Sequence, residues 1–118
     1  MNEPEFQNHP QTGEVTALLG SGATFEGRLI FEGVVRIDGI FKGDIFSRDT
    51  LIVGPEAKVY AQVEADVVVV AGYLEGQIRA TGKVEIQAGG SLKGSVQSPV
   101  FKIEEGGLFD GHTQMLPA

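Results

Sequence analysis

The sequence predicts an all-β chain, a single three-sided parallel β-helix of about six coils of about 17 residues each, with flexible termini. Three observations predict it. Apolar or small residues fill every odd position from Phe25 to Ala65 except Asp49 and, after a slip of one residue, every even position from Val68 to Ser98. This period of two is that of a pleated strand, whereas a helix needs apolar residues three and four apart. An apolar-x-Gly step recurs at Phe25-Glu26-Gly27, Phe41-Lys42-Gly43, Val59-Tyr60-Ala61, Leu74-Glu75-Gly76, Leu92-Lys93-Gly94 and Phe109-Asp110-Gly111, at spacings of 16, 18, 15, 18 and 17. Finally, hydrophobic residues make up 42% of the chain, too many for a disordered protein, so its 17 glycines punctuate a fold.

In chain order, residues 1–16 read as a flexible tail. They carry Pro4, Pro10, Gly13 and four amides, and Phe6 is their one large apolar residue before Val15. Residues 17–113 read as the β-helix domain. Ahead of each apolar-x-Gly step after the first lies a short strand: Val35-Arg36-Ile37, Leu51-Ile52-Val53, Val68-Val69-Val70, Val84-Glu85-Ile86 and Phe101-Lys102-Ile103. Two residues after each corner come Leu29, Ile45, Val63, Ile78, Val96 and, in the last copy, Thr113. Stacked coils make inward columns of Phe25, Phe41, Val59, Leu74, Leu92 and Phe109, and of Ile37, Val53, Val70, Ile86 and Ile103. An outward column reads Glu26, Lys42, Tyr60, Glu75, Lys93, Asp110, with opposite charges on neighbouring rungs. At about 4.8 Å per rung the core is about 29 Å long. Residues 114–118 form a short carboxyl-terminal tail.

The composition excludes several functions. A formal charge of −7 argues against binding to nucleic acid, which runs on clustered cations. With no cysteine there is no disulfide, thiolate metal site or cysteine nucleophile, and a reducing, cytoplasmic location is expected. The longest apolar run, Val67 to Ala71, is far short of a membrane span, and the amino terminus has no signal-peptide pattern. His9 and His112 are the only histidines, and no nucleophile, zinc or P-loop motif is present, so neither catalysis nor a metal, nucleotide or other cofactor is expected.

The ends of the stack carry the remaining signal. No polar cap or helix pattern covers either one, and an uncovered strand edge with apolar side chains pairs with another copy. The candidate interface at the carboxyl end is Phe101, Leu108, Phe109 and Met115; at the amino end it is Leu18, Leu19 and Phe25. Outward Ile30, Val34, Ile40, Phe46 and Ile52 offer a lateral patch for a partner, which suits a non-filamentous adaptor for a cell-wall enzyme. A hexapeptide-type left-handed β-helix transferase is a more remote alternative. It needs a strict six-residue period and an internal histidine, whereas here the inter-strand connections alternate between four and six residues (Ile37 to Phe41, Val53 to Val59, Val70 to Leu74, Ile86 to Leu92).

Over about residues 17–113 the sequence resembles the bactofilins, bacterial polymer-forming cytoskeletal proteins. The resemblance is carried by Gly-x-x-x-x-Phe-x-Gly-x-Leu from Gly20 to Leu29, Val35-Arg-Ile-Asp-Gly-Ile-Phe-Lys-Gly43, and Ile103-Glu-Glu-Gly-Gly-Leu-Phe-Asp-Gly111. It implies a right-handed β-helix and nucleotide-independent, non-polar filaments with like ends meeting, and it maps the family's filament-end aromatic onto Phe109. It also implies a scaffold that positions cell-wall, cell-shape or polarity proteins, peripheral at the inner face of the cell membrane in many members. The amino-terminal segment departs from the family's apolar or basic membrane motif: it is acidic, and Phe6 is its one candidate for a weak membrane contact.

Overall fold

A computed structural model describes residues 15–19 and 22–115, with side chains described from 22 to 114. These residues form ten strands: β1 (Val15–Leu19), β2 (Thr24–Phe31), β3 (Val34–Ile37), β4 (Ile40–Ser47), β5 (Thr50–Val53), β6 (Lys58–Val70), β7 (Tyr73–Ile86), β8 (Ser91–Ser98), β9 (Phe101–Ile103) and β10 (Leu108–Met115). Every pairing is parallel. One ladder runs β2, β4, the first part of β6, the first part of β7, β8 and β10; the other runs β1, β3, β5, the remainders of β6 and β7, and β9. The chain is therefore a parallel β-solenoid with six rungs and five full turns between Phe25 and Phe109.

The repeat read from the sequence is the register of the coils. Phe25 pairs with Phe41, Phe41 with Val59, Val59 with Leu74, Leu74 with Leu92, and Leu92 with Phe109. Below and above each inward residue sits its own counterpart, so a column is one continuous core. Phe41, Val59, Leu74, Leu92, Ile37, Val53, Val70 and Ile86 are wholly buried. Leu74→Ala removes a fully enclosed side chain from the middle of a column, and urea unfolding should report a loss of about 3 kcal/mol.

Within the first ladder the extended run is broken after its first inward residue. Gly27, Gly43, Gly76, Gly94 and Gly111 have φ of +147°, +134°, +143°, +130° and +153°, the left-handed side of backbone space, and stack on one another as a corner. The corner is also crowded. A Cβ on Gly43, Gly76, Gly94 or Gly111 would lie 1.8–2.0 Å from the carbonyl oxygen of the residue one coil earlier. Ala61, in the same column, has no positive φ, so that coil turns with ordinary backbone.

The slip in alternation falls where this coil is one residue shorter than both neighbours, so that Asp66 alone stands opposite Thr81 and Gly82 of β7. The register to β7 shifts between Ala65 and Val67, and the amides of Asp66 and Val67 both donate to the Asp49 carbonyl, at 3.0 and 3.2 Å. The unequal connections also have a local cause. In the six-residue ones the chain closes a four-residue turn, Ala57 N–H donating to Gly54 O at 3.0 Å and Gly90 N–H to Gln87 O at 2.8 Å. Pro55 and Gly89 (φ +86°) sit at the turn positions that suit them.

Candidate assembly interface

Each inward residue is covered by the next rung, and among the described residues nothing covers the last one. The carboxyl end of the stack presents Phe101, Ile103, Phe109 and Thr113, which continue the columns of Val84, Ile86, Leu92 and Val96. Ile103 is 44% exposed where Ile86 beneath it is 0%. Phe101 and Phe109 are half-buried, packed against the core beneath and against each other edge-on, with centroids 5.0 Å apart at 73°. Among the described residues β9 pairs only with β7 and β10 only with β8, so their outer N–H and C=O groups form an open edge.

Of the residues expected at this end, Phe101 and Phe109 are brought together. Leu108 is placed elsewhere: it pairs with Ser91, in the outward column, and stands 67% exposed on the flank of the last rung. The Met115 backbone pairs with Ser98, and its side chain lies outside the described residues. Ile103 joins Phe101 and Phe109, since it closes an inward column legible in the sequence and the last member of a column is the one left uncovered.

At the amino end Phe25 is half-buried and stacks on Phe41, centroids 5.2 Å apart at 25°. The backbone of β1 lies over β3, with Leu19 paired to Ile37 and Leu18 within a register shift; the side chains of both are outside the described residues, as is Phe6. This end is more closed than the other, since first-rung Leu29 is 4% exposed while last-rung Thr113 is exposed.

The five lateral residues fall on three sides of the solenoid. Ile30 (68% exposed) pairs with Phe46, over whose ring Arg28 lies at 5.7 Å. Val34 and Ile52 flank the second ladder, where Ile52 pairs with Arg36 and Val69. Ile40 belongs to the column of Thr24 and Lys58. In that column Tyr73 meets Tyr60 of the neighbouring one, with centroids 5.8 Å apart.

Tyr73 donates its hydroxyl to Glu75 Oε1 at 2.7 Å. This bond first, then burial and the Glu75 charge, pushes the phenol from its ordinary 10.0 up to about 12. The folded chain thus holds the proton more tightly than the unfolded one, so the contribution is fully present below pH 10 and is lost as pH rises through about 12. Ultraviolet titration of a Tyr60→Phe variant, in which Tyr73 is the sole phenol, should give a midpoint still well above 10, since the Glu75 bond that contributes most is kept. Adding Glu75→Ala should return it toward 10.

A shallow polar groove of about 260 Å³ runs along the first ladder, lined by Gln62, Gln77, Arg79, Gln97, His112 and Gln114. Its amides can donate and accept hydrogen bonds, as Gln97 does to Gln114 at 3.4 Å. No cluster of metal-ligating side chains, and no helix long and apolar enough to cross a membrane, occurs among the described residues.

Comparison with known proteins agrees with this geometry. Residues 17–114 match the family model of bactofilin, described as polymer-forming cytoskeletal. The chain is 30% identical over 98 residues to bactofilin BacO of Myxococcus xanthus, covering 83% of this chain and 78% of that one. It is 31% identical over 98 residues to bactofilin BacP of the same organism, covering 83% of this chain but 41% of that longer protein. Its fold matches a bactofilin of Thermus thermophilus solved as double helical filaments, with a TM-score of 0.79 and 27% identity, over 86% of this chain and 99% of that one. A six-rung solenoid with an open, apolar last rung, matched over nearly its whole length, places the chain in the bactofilin family of polymer-forming cytoskeletal proteins.

Proposed function

We propose that this protein is a cytoplasmic, non-enzymatic scaffold. Its solenoids join end to end into non-polar filaments without nucleotide, and the filaments position cell-wall, cell-shape or polarity proteins. The observation that carries the reading is the bare carboxyl-terminal rung, where Ile103 is 44% exposed one coil above a wholly buried Ile86. Phe101 and Phe109 pack against the core and Ile103 continues its Ile86 column, so a second copy placed on them continues that core and completes the open edges of β9 and β10. The family to which the chain belongs, and the filament form of the Thermus thermophilus relative, support the same product.

Sedimentation of the purified protein in buffer free of nucleotide and divalent metal tests this reading. Most of the chain should pellet as polymer at micromolar concentration; a protein that stays in the supernatant until nucleotide is added contradicts it. Ile30, 68% exposed beside Phe46, supports a lateral contact with a scaffolded protein in addition. Ile30→Ser with Phe46→Ser should leave pelleting unchanged, and loss of pelleting would place these residues in the polymer contact instead.

A further inference from the structure

One side of the first ladder carries two outward columns: Thr24, Ile40, Lys58, Tyr73, Ser91, Leu108, and beside it Glu26, Lys42, Tyr60, Glu75, Lys93, Asp110, one residue per rung from first to sixth. Both tyrosines of the chain lie here, on the third and fourth rungs, in contact with each other and with Tyr60 37% exposed. Tyrosine is a side chain favoured at protein–protein contacts because it brings a large area at small entropic cost. Among the described residues the ion pairs within the solenoid are Arg36–Asp38 and Lys83–Glu85, so the charges of the Tyr60 column have no cation–carboxylate contact within 4.0 Å.

We propose that this face pairs two copies side by side, antiparallel, about a two-fold axis that runs along the strand direction through Tyr60. Such an axis reverses the solenoid and lays each column on its own copy. The third rung then faces the third, the second faces the fourth, and the first faces the fifth. Tyr60 meets Tyr60, Lys42 meets Glu75, and Glu26 meets Lys93, each charged pair formed twice. In the neighbouring column Ile40 meets Tyr73 and Thr24 meets Ser91. The one like-charge opposition is Lys58 with Lys58, at an exposed position where the long side chains can diverge. Leu108 and Asp110, on the sixth rung, lie beyond the partner's first.

The charge order selects this register. With the axis midway between the third and fourth rungs, Lys42 faces Lys93 and Glu26 faces Asp110; with the axis on the fourth, Glu75 faces itself. Only the axis on Tyr60 opposes every charge of the column's first five rungs with its opposite. The contact is lateral and stands apart from the end-to-end joint, so each can fail without the other.

The absence of cysteine makes the test direct. A residue on a two-fold axis faces its own copy, so Tyr60→Cys under mild oxidation should form a disulfide-linked dimer. Gln62→Cys, in the polar groove, and Asp110→Cys, in the same column but off the axis, should link at least about tenfold more slowly. In the Tyr60→Cys protein, Glu26→Lys or Lys93→Glu alone should slow linking by about tenfold, since each turns two attractions into repulsions. Both together should restore the rate. Changes confined to one solenoid would add in the double variant instead of cancelling. Equal linking at positions 60, 62 and 110, or a double reversal no faster than the singles, overturns the proposal.

Discussion

Arginine in place of Phe109 is expected to turn a polymer into small, folded species. Phe109 sits on Leu92 in the inward column and packs edge-on against Phe101 at 5.0 Å, at the centre of the bare last rung. A guanidinium there stays hydrated in the single solenoid but loses its water when a second copy covers the rung. An unpaired charge buried in this way costs about 3–5 kcal/mol, which weakens the joint by about two to four orders of magnitude. The solenoid itself should survive, because five rungs below keep their own cover. Sedimentation velocity should find small species, with the circular dichroism of the strands retained, whereas Phe109→Leu, which keeps the rung apolar, should still polymerise. Phe109→Arg protein that polymerises at the same concentration would remove this residue from the joint.

A methyl group at the stacked corner is expected to be the most damaging small change in the chain. In Gly76→Ala the new Cβ would lie 2.0 Å from the Ala61 carbonyl oxygen, at a φ of +143° that L residues rarely adopt. Gly94 stacks directly on Gly76 in the same way, so a backbone shift at one corner is passed to the next coil. A collision with backbone, which cannot rotate away, together with the strained φ, should cost about 3 kcal/mol or more. Gly89→Ala is the comparison: its φ is +86°, but nothing lies within 4 Å of the added Cβ, and the backbone term alone is about 1 kcal/mol. Urea unfolding of the two variants should therefore differ by about 2 kcal/mol. Equal losses would mean that the close approach of corners contributes nothing.

The core was legible because a solenoid stacks each position on its own counterpart. Column requirements therefore recur at coil spacing, and Phe25, Phe41, Val59, Leu74, Leu92 and Phe109 could be aligned by eye. The slip of parity near residue 66 is likewise that register shift, since a coil one residue shorter than its neighbours turns every following side chain over. The ends were less legible, because exposure there depends on a neighbour that is missing and not on residue type. Ile103 looks like any other member of its column, and Leu108 looks like an end residue until its register with Ser91 and Tyr73 places it on the flank. Apolar character alone groups the lateral residues as one set; their distribution over three sides follows from where the corners fall. The meeting of Tyr60 and Tyr73 is a diagonal contact between adjacent rungs, since Tyr73 pairs with Lys58 and Tyr60 with Glu75, and only the register shows it.

Assembly driven by the bare apolar rung alone should be visible by negative-stain electron microscopy of the purified protein, without nucleotide, metal or any other protein. Long unbranched filaments are expected, with solenoids stacked end to end along the filament axis. A uniform field of discrete monomers or closed oligomers, at concentrations where the folded chain is intact, would contradict this expectation.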